Sequence, residues 1–255
     1  MSPKELSVQI ENYCKELRLP AIRHNYQEEM REANHKNYSY AEFLYQLLQQ
    51  ESDLRRENGK KNRIRLAGFP AKKYLEDLEI KALPEDARKK LKVLCSLEFI
   101  KNGQNVVLAG NAGTGKTHIA TGLGIKACME GYKVLFATIP LLVNQLKESR
   151  SAKNLRTFEN KFEKYDLVIA DELGYISFDR EGSELLFTHL SLRAGRKSTI
   201  ITSNLSFERW EEIFKDPVMT AAMVDRLTHK SYVINMVGDS YRLKETQEWL
   251  KDQAL

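Results

Sequence analysis

The eight residues Gly110-Asn111-Ala112-Gly113-Thr114-Gly115-Lys116-Thr117 fit the phosphate-loop pattern GxxxxGK[ST]. A polyphosphate needs close backbone approach and a ring of N–H donors. Glycines at 110, 113 and 115 permit that approach, and a helix N-terminus adds its positive dipole end. Lys116 is placed to reach β- and γ-phosphates, and the Thr117 hydroxyl to ligate Mg²⁺. The flanks agree: Asn105 to Ala109 (NVVLA) reads as a buried strand, and Ile119, Ala120, Leu123 and Ala127 fall at helical spacing behind the loop. A glycine turn before a helix would need neither the Lys-Thr pair nor three glycines.

Three further groups suit the same chemistry. Leu167-Val168-Ile169-Ala170-Asp171-Glu172 is an apolar strand ending in two carboxylates, the form of a Walker B element. Asp171 can hold Mg²⁺ and Glu172 can orient the attacking water, since phosphoryl transfer depends on positioning and charge neutralisation. Thr199 to Asn204 (TIITSN) is another strand with a polar end, so Asn204 can face the γ-phosphate and the water as a sensor 1, or simply form a turn. Arg226 follows a helix-forming stretch and precedes the last strand. Its guanidinium can neutralise γ-phosphate charge, possible from a neighbouring subunit as well, and it suits a local surface ion pair equally.

The elements that must position these groups alternate. Asn105 to Ala109, Lys133 to Thr138, Leu167 to Asp171, Ser198 to Ser203 and Ser231 to Met236 are short runs rich in Val, Ile, Leu or Thr, separated by helical stretches. This predicts an α/β domain around a five-stranded, mainly parallel sheet flanked by helices, with ligands at the strands' carboxyl ends. Residues 1–58 read instead as a small all-helical domain. Leu6, Ile10, Cys14 and Leu17 form one stripe, and Ile22, Tyr26 and Met30 another. Ser39 and Glu42 form a capping box before the apolar face Tyr40, Phe43, Leu44, Leu47, Leu48 and Leu54. All these stripes are expected to be core. Gly59 and the breaker Gly68-Phe69-Pro70 make residues 59–75 a basic linker, which leaves 76–255 for the ATPase domain.

Composition excludes several classes. The three cysteines, Cys14, Cys95 and Cys128, lack CxxC spacing, against a disulfide framework or zinc site. No apolar leader or membrane-length run is present, so the expected location is cytoplasmic, with no membrane partner. The net charge of the 255 residues is +5, and Arg55, Arg56, Lys60, Lys61, Arg63 and Arg65 against Glu57 carry an equal local excess. Such a cluster suits nucleic acid, or a solvated helix face. Lys147, Arg150, Lys153 and Arg156, diluted by Glu148 and Glu159, form a second candidate nucleic-acid surface.

Together GNAGTGKTH, VIADELGY, TIITSNLSFERW and DPVMTAAMVDRLTHKSYVINMVGDSYR resemble the IstB-like transposition helper ATPases, close to the DnaC-type helicase loaders. The resemblance implies an AAA+ P-loop NTPase fold with strand order 5-1-4-3-2. It also implies ATP bound between protomers of an ATP-dependent homo-oligomer, and partnership with a transposase on double-stranded target DNA. By position it makes Lys116 and Thr117 Walker A, within the ATP-binding segment Gly110 to His118, Asp171 and Glu172 Walker B, Asn204 sensor 1 and Arg226 an arginine finger in trans. The chain ends too soon after the last strand for a full helical lid, so no sensor 2 is assigned, Arg242 being only a candidate. A helicase loader on the same core is the nearest alternative; a small-molecule P-loop kinase would leave Asn204 and the basic segment without shared purpose, and Glu172 argues against a non-hydrolysing module.

Overall fold

The computed structural model describes residues 1–253, and it divides into two units at Asn62/Arg63. Ala254 and Leu255, the end of the expected 76–255 domain, lie outside the described residues.

The first unit is built from α1 (Pro3–Glu16), α2 (Pro20–Lys36) and most of α3 (Tyr40–Ala67). The Ser39–Glu42 capping box is present in both directions, Ser39 N–H donating to Glu42 at 2.7 Å and Glu42 N–H to Ser39 Oγ at 3.3 Å. Glu51 is buried and accepts the Ala21 (2.8 Å) and Ile22 (3.3 Å) amides, satisfying orphan donors at the start of α2. The interior is small: Cys14, Ala21, Tyr26 and Leu47 are its buried apolar residues. The expected stripes are therefore only partly core. Leu6, Leu17, Met30, Tyr40, Leu44 and Leu48 are exposed, because two neighbouring helices cover only one arc of α3 and leave the 40/44/48 row outside it.

The expected linker also changes. α3 continues through Gly59 to Ala67, so residues 59–67 are helix, and the break comes at Gly68, whose φ is +77°. A single glycine costs a long helix about 1 kcal/mol, too little to stop it.

In the second unit α4 (Glu85–Leu94) and α5 (Glu98–Lys101) precede β1 (Val106–Ala109), α6 (Lys116–Met129) and β2 (Val134–Thr138). α7 (Ile139–Ser151), α8 (Leu155–Phe162), β3 (Leu167–Leu173), α9 (Arg180–Arg193) and β4 (Ser198–Ser203) follow. α10 (Glu211–Phe214), α11 (Pro217–Thr228), β5 (Tyr232–Asn235) and α12 (Tyr241–Gln253) complete it. The sheet order is β2-β3-β4-β1-β5 with every pair parallel, the order implied by the resemblance read from its other edge.

Strand alternation divides the core between the two faces. Val106, Leu108, Ile169 and Ile200 pack with α4 and α6, whereas Val107, Val168, Ala170 and Ile201 pack with α7, α9 and α11. α6 is apolar on nearly all sides and lies under the sheet, so the loop at its N-terminus is held from both ends. Among the described residues no helix is long and apolar enough to cross a membrane.

Candidate active site

The phosphate loop leaves the carboxyl end of β1 and turns into α6. Gly110 has φ +152°, and a Cβ there would lie 2.2 Å from the Met236 carbonyl carbon; at Gly113, φ +79°, it would lie 2.1 Å from Ser240 Oγ. These glycines admit the segment after β5. Its Tyr241 N–H donates to Gly113 O at 3.0 Å, while Asn111 Nδ2 donates to Gly238 O at 3.3 Å.

Lys116 opens α6 and folds back over the loop, donating to Gly110 O at 2.8 Å and Asn111 O at 2.5 Å. Burial pushes its ammonium below the ordinary lysine range, Asp171 pulls it back up, and Arg242 adds to the downward push. A buried cation whose hydrogen bonds among the described residues go to two carbonyls is poised for an anionic ligand. Thr117 Oγ1 lies 3.1 and 3.2 Å from the two carboxylate oxygens of Asp171, which is itself buried at the end of β3. A hydroxyl beside a carboxylate, next to a phosphate cradle, is a hard-oxygen donor set of the kind Mg²⁺ takes together with substrate phosphates.

A cleft of about 350 Å³ gathers these groups. Ala112 to His118 form one wall and Glu172, Thr202 and Asn204 the opposite one, so Lys116, Glu172 and Asn204 meet as expected. Gly110 and Asn111 lie behind that wall and serve through their carbonyls. His118 faces the cleft, but its Nε2 is engaged by Tyr74 O at 2.8 Å. Among the described residues Asn204 Oδ1 is buried without a hydrogen-bond partner, an oxygen left for a ligand or water to satisfy.

Arg226 lies elsewhere. It is exposed at the end of α11, its guanidinium 5.0 Å from the Phe187 ring centroid, and the next residue's carbonyl accepts from Asn105 Nδ2 at the entrance to β1. The phosphate loop follows the exit of that strand, about 16 Å further on at 3.3 Å per residue. Arg226 is therefore absent from the cleft of its own chain.

The basic residues are unequal. Arg55 binds Glu51 (3.2 Å) and the Arg18 carbonyl (2.8 Å), Arg56 pairs with Asp53 and Lys60 with Glu57, and Arg63 Nε donates to Cys128 O at 2.7 Å. Lys61 and Arg65 are exposed. In the second cluster Lys147 pairs with Asp179 at 2.6 Å and Arg150 with Glu181 at 3.4 Å, while Lys153 and Arg156 are exposed and make no ion pair among the described residues.

Sequence reasoning missed part of the cleft. Lys73, Glu79 and Tyr175 line it, and α12 contributes Tyr241, Arg242 and Glu245. Tyr175 closes the VIADELGY stretch beside Glu172, whereas nothing local marks Lys73, Glu79 or the α12 residues, which come from distant segments. Arg242, left unassigned above, does face the site. Thr202 was legible only as a strand residue in TIITSN.

Comparison with known proteins agrees with this geometry. The family model described as IstB-like ATP binding protein matches residues 12–249. The chain is 35% identical over 247 residues to a protein of Geobacillus stearothermophilus named as an ATP-binding protein of insertion sequence IS5376, covering 96% of this chain and 98% of that one. It is 35% identical over 240 residues to the corresponding IS21 protein of Pseudomonas aeruginosa, covering 94% and 91%. Among solved structures, AMPPCP-bound DnaA from Aquifex aeolicus superposes with a TM-score of 0.56 at 21% identity, over 72% of this chain and 56% of that one, a likeness of fold. The fold is of the AAA+ type, the cleft is that of a P-loop ATPase, and the chain belongs to the family of IstB-like ATP-binding proteins.

Proposed function

We propose that this ATPase assembles with Mg·ATP on double-stranded target DNA and thereby assists a transposase, hydrolysis releasing the assembly. The observation that carries the assembly is the placement of Arg226. It is exposed at the strands' amino edge and absent from its own cleft, so it can neutralise γ-phosphate charge only in a neighbouring copy. The bound phosphate then becomes part of a subunit interface. The insertion-sequence relatives support a transposase as the partner.

Within the cleft, Lys116 binds the β- and γ-phosphates, Glu172 orients the attacking water, and Asn204 fixes that water against the γ-phosphate. Thr117 and Asp171 would hold Mg²⁺, which when bound neutralises charge on the β- and γ-phosphates. Neither basic segment resembles a base-reading motif, so DNA contacts are to phosphates, through residues of Arg55 to Arg65 and through Lys147, Arg150, Lys153 and Arg156, with Lys61, Lys153 and Arg156 best presented.

The test is affinity for duplexes of increasing length and for matched single strands, with ATP, a slowly hydrolysed analogue or ADP. Affinity that rises with duplex length only under ATP or the analogue is the expected result. A length-independent affinity that ignores the nucleotide would refute assembly, and a clear preference for single strands would favour a helicase loader.

A further inference from the structure

Asp171 and Glu172 are adjacent on one strand, yet Glu172 lines the cleft while the buried Asp171 carboxylate meets Thr117 in the cleft's wall. Regular strand geometry forbids this, because successive side chains point to opposite faces. The register resolves the conflict. Ala170 lies opposite Ile201 and Leu173 opposite Ser203, so β3 holds one residue more than β4 across this step. The extra residue makes a β-bulge, a device that re-aims side chains beside active sites. It also has two consequences: the Glu172 backbone is forced to φ +68°, where a residue with a long side chain seldom rests, and the Glu172 N–H loses its ladder partner.

Thr202, buried on β4, answers both. Its Oγ1 accepts the Glu172 N–H at 3.0 Å and lies 2.5 Å from Asp171 Oδ1. A hydroxyl has one proton, and an ionised carboxylate can only accept, so the proton points to Asp171 and a lone pair to Glu172. One atom thus fastens the backbone of one carboxylate and the side chain of the other.

We infer that Thr202 is a positioning residue for hydrolysis, its hydroxyl closing the bulge so that Asp171 faces Thr117 while Glu172 faces the cleft. β4 supplies a contrast: Thr199 is equally buried in the same strand, but its Oγ1 has no partner among the described residues and it lies at the strand's other end. Strand preference for threonine accounts for Thr199; the two bonds of Thr202 are specific to the bulge.

The inference rests on the role given above to Glu172, and the experiment separates the two. Turnover, KM for Mg·ATP, affinity for a slowly hydrolysed analogue and amide exchange at residues 171–173 are measured in the full chain for wild type, Thr202→Val, Thr202→Ser, Thr199→Val and Glu172→Gln. Loss of the hydroxyl in Thr202→Val is expected to lower kcat about tenfold or more, with analogue affinity changed by less than about threefold, because misplacement of catalytic groups is costly even when binding survives. The Glu172 amide, protected in the wild type, exchanges faster in that variant. Thr202→Ser restores both, and Thr199→Val alters neither. If Thr202→Val does not fold, Thr202→Ala is compared with Thr202→Ser on the same readouts. A kcat within about threefold of wild type without the hydroxyl, an equal loss in Thr199→Val, or an unprotected wild-type Glu172 amide overturns the inference. Near-normal hydrolysis by Glu172→Gln overturns it together with the role of Glu172, whereas a dead Glu172→Gln beside an active Thr202→Val removes Thr202 alone.

Discussion

The nucleotide cleft and the basic segment Arg55 to Arg65 both gather charge, but they hold it in opposite ways. At the cleft Lys116 and, behind Thr117 and Thr202, Asp171 are buried, and each is fixed by two or more hydrogen bonds within the loop and strand ends. Along α3, Arg55 and Arg56 stand exposed beside Glu51 and Asp53 one helical turn away, and Lys61 projects into solvent. The difference teaches what each surface can do. Buried, pre-aimed charge discriminates geometry and can serve chemistry; exposed charge on flexible stems reads only the density of an opposing polyanion.

The comparison is broken most severely in the cleft. Lys116→Ala should abolish measurable ATP binding by calorimetry, and Glu172→Gln should bind Mg·ATP yet lose turnover by about 10²-fold or more. A Glu172 variant with near-normal phosphate release would leave the strand-end carboxylate without its role.

Arg226 sharpens the contrast, being an exposed cation assigned to chemistry. Lys116→Ala and Arg226→Ala proteins, each inactive, should regain part of the hydrolysis when mixed, because each supplies what the other lacks. Mixtures that co-assemble by light scattering but stay inactive would confine the arginine to its contact with Phe187.

Smaller effects belong to the exposed surface. Replacing Lys61, Lys153 or Arg156 by Ala should each lower the log–log salt slope of duplex binding by about 0.9, with ATP turnover in the absence of DNA unchanged. A slope identical to wild type would show that the residue makes no phosphate contact.

The smallest effect is on the stability of the nucleotide-free protein. Since burial lowers the Lys116 pKa, the folded state binds fewer protons than the unfolded chain between the lowered value and the ordinary 10.5. Stability contributed at this residue therefore rises with pH through that window, and the cost of the buried ammonium is fully present below it. Lys116→Met should melt higher than wild type at neutral pH without nucleotide, the gap narrowing as pH climbs. Scanning calorimetry across pH checks the sign, and a Met variant that melts lower at neutral pH would contradict it.

The sequence alone determined the cleft's inner wall and the strand inventory, for a physical reason: both are written in short-range patterns. Three glycines with Lys116 and Thr117 specify a loop, and runs such as Leu167 to Ala170 or Thr199 to Ile201 specify buried strands, because steric limits and burial act on consecutive residues. The capping box at Ser39 and Glu42 was legible for the same reason. Other features depended on which segments meet. Helical spacing could not say which side of α3 is covered, so Leu44 and Leu48 read like Leu47 although only Leu47 is buried. One glycine could not reveal that α3 runs on to Ala67, since packing around the helix outweighs a local penalty of about 1 kcal/mol. The register slip between β3 and β4 existed only once the strands paired. That pairing placed Thr202 against Asp171 and Glu172, and the same tertiary fold brought α12 to the cleft while leaving Arg226 by the strands' amino ends.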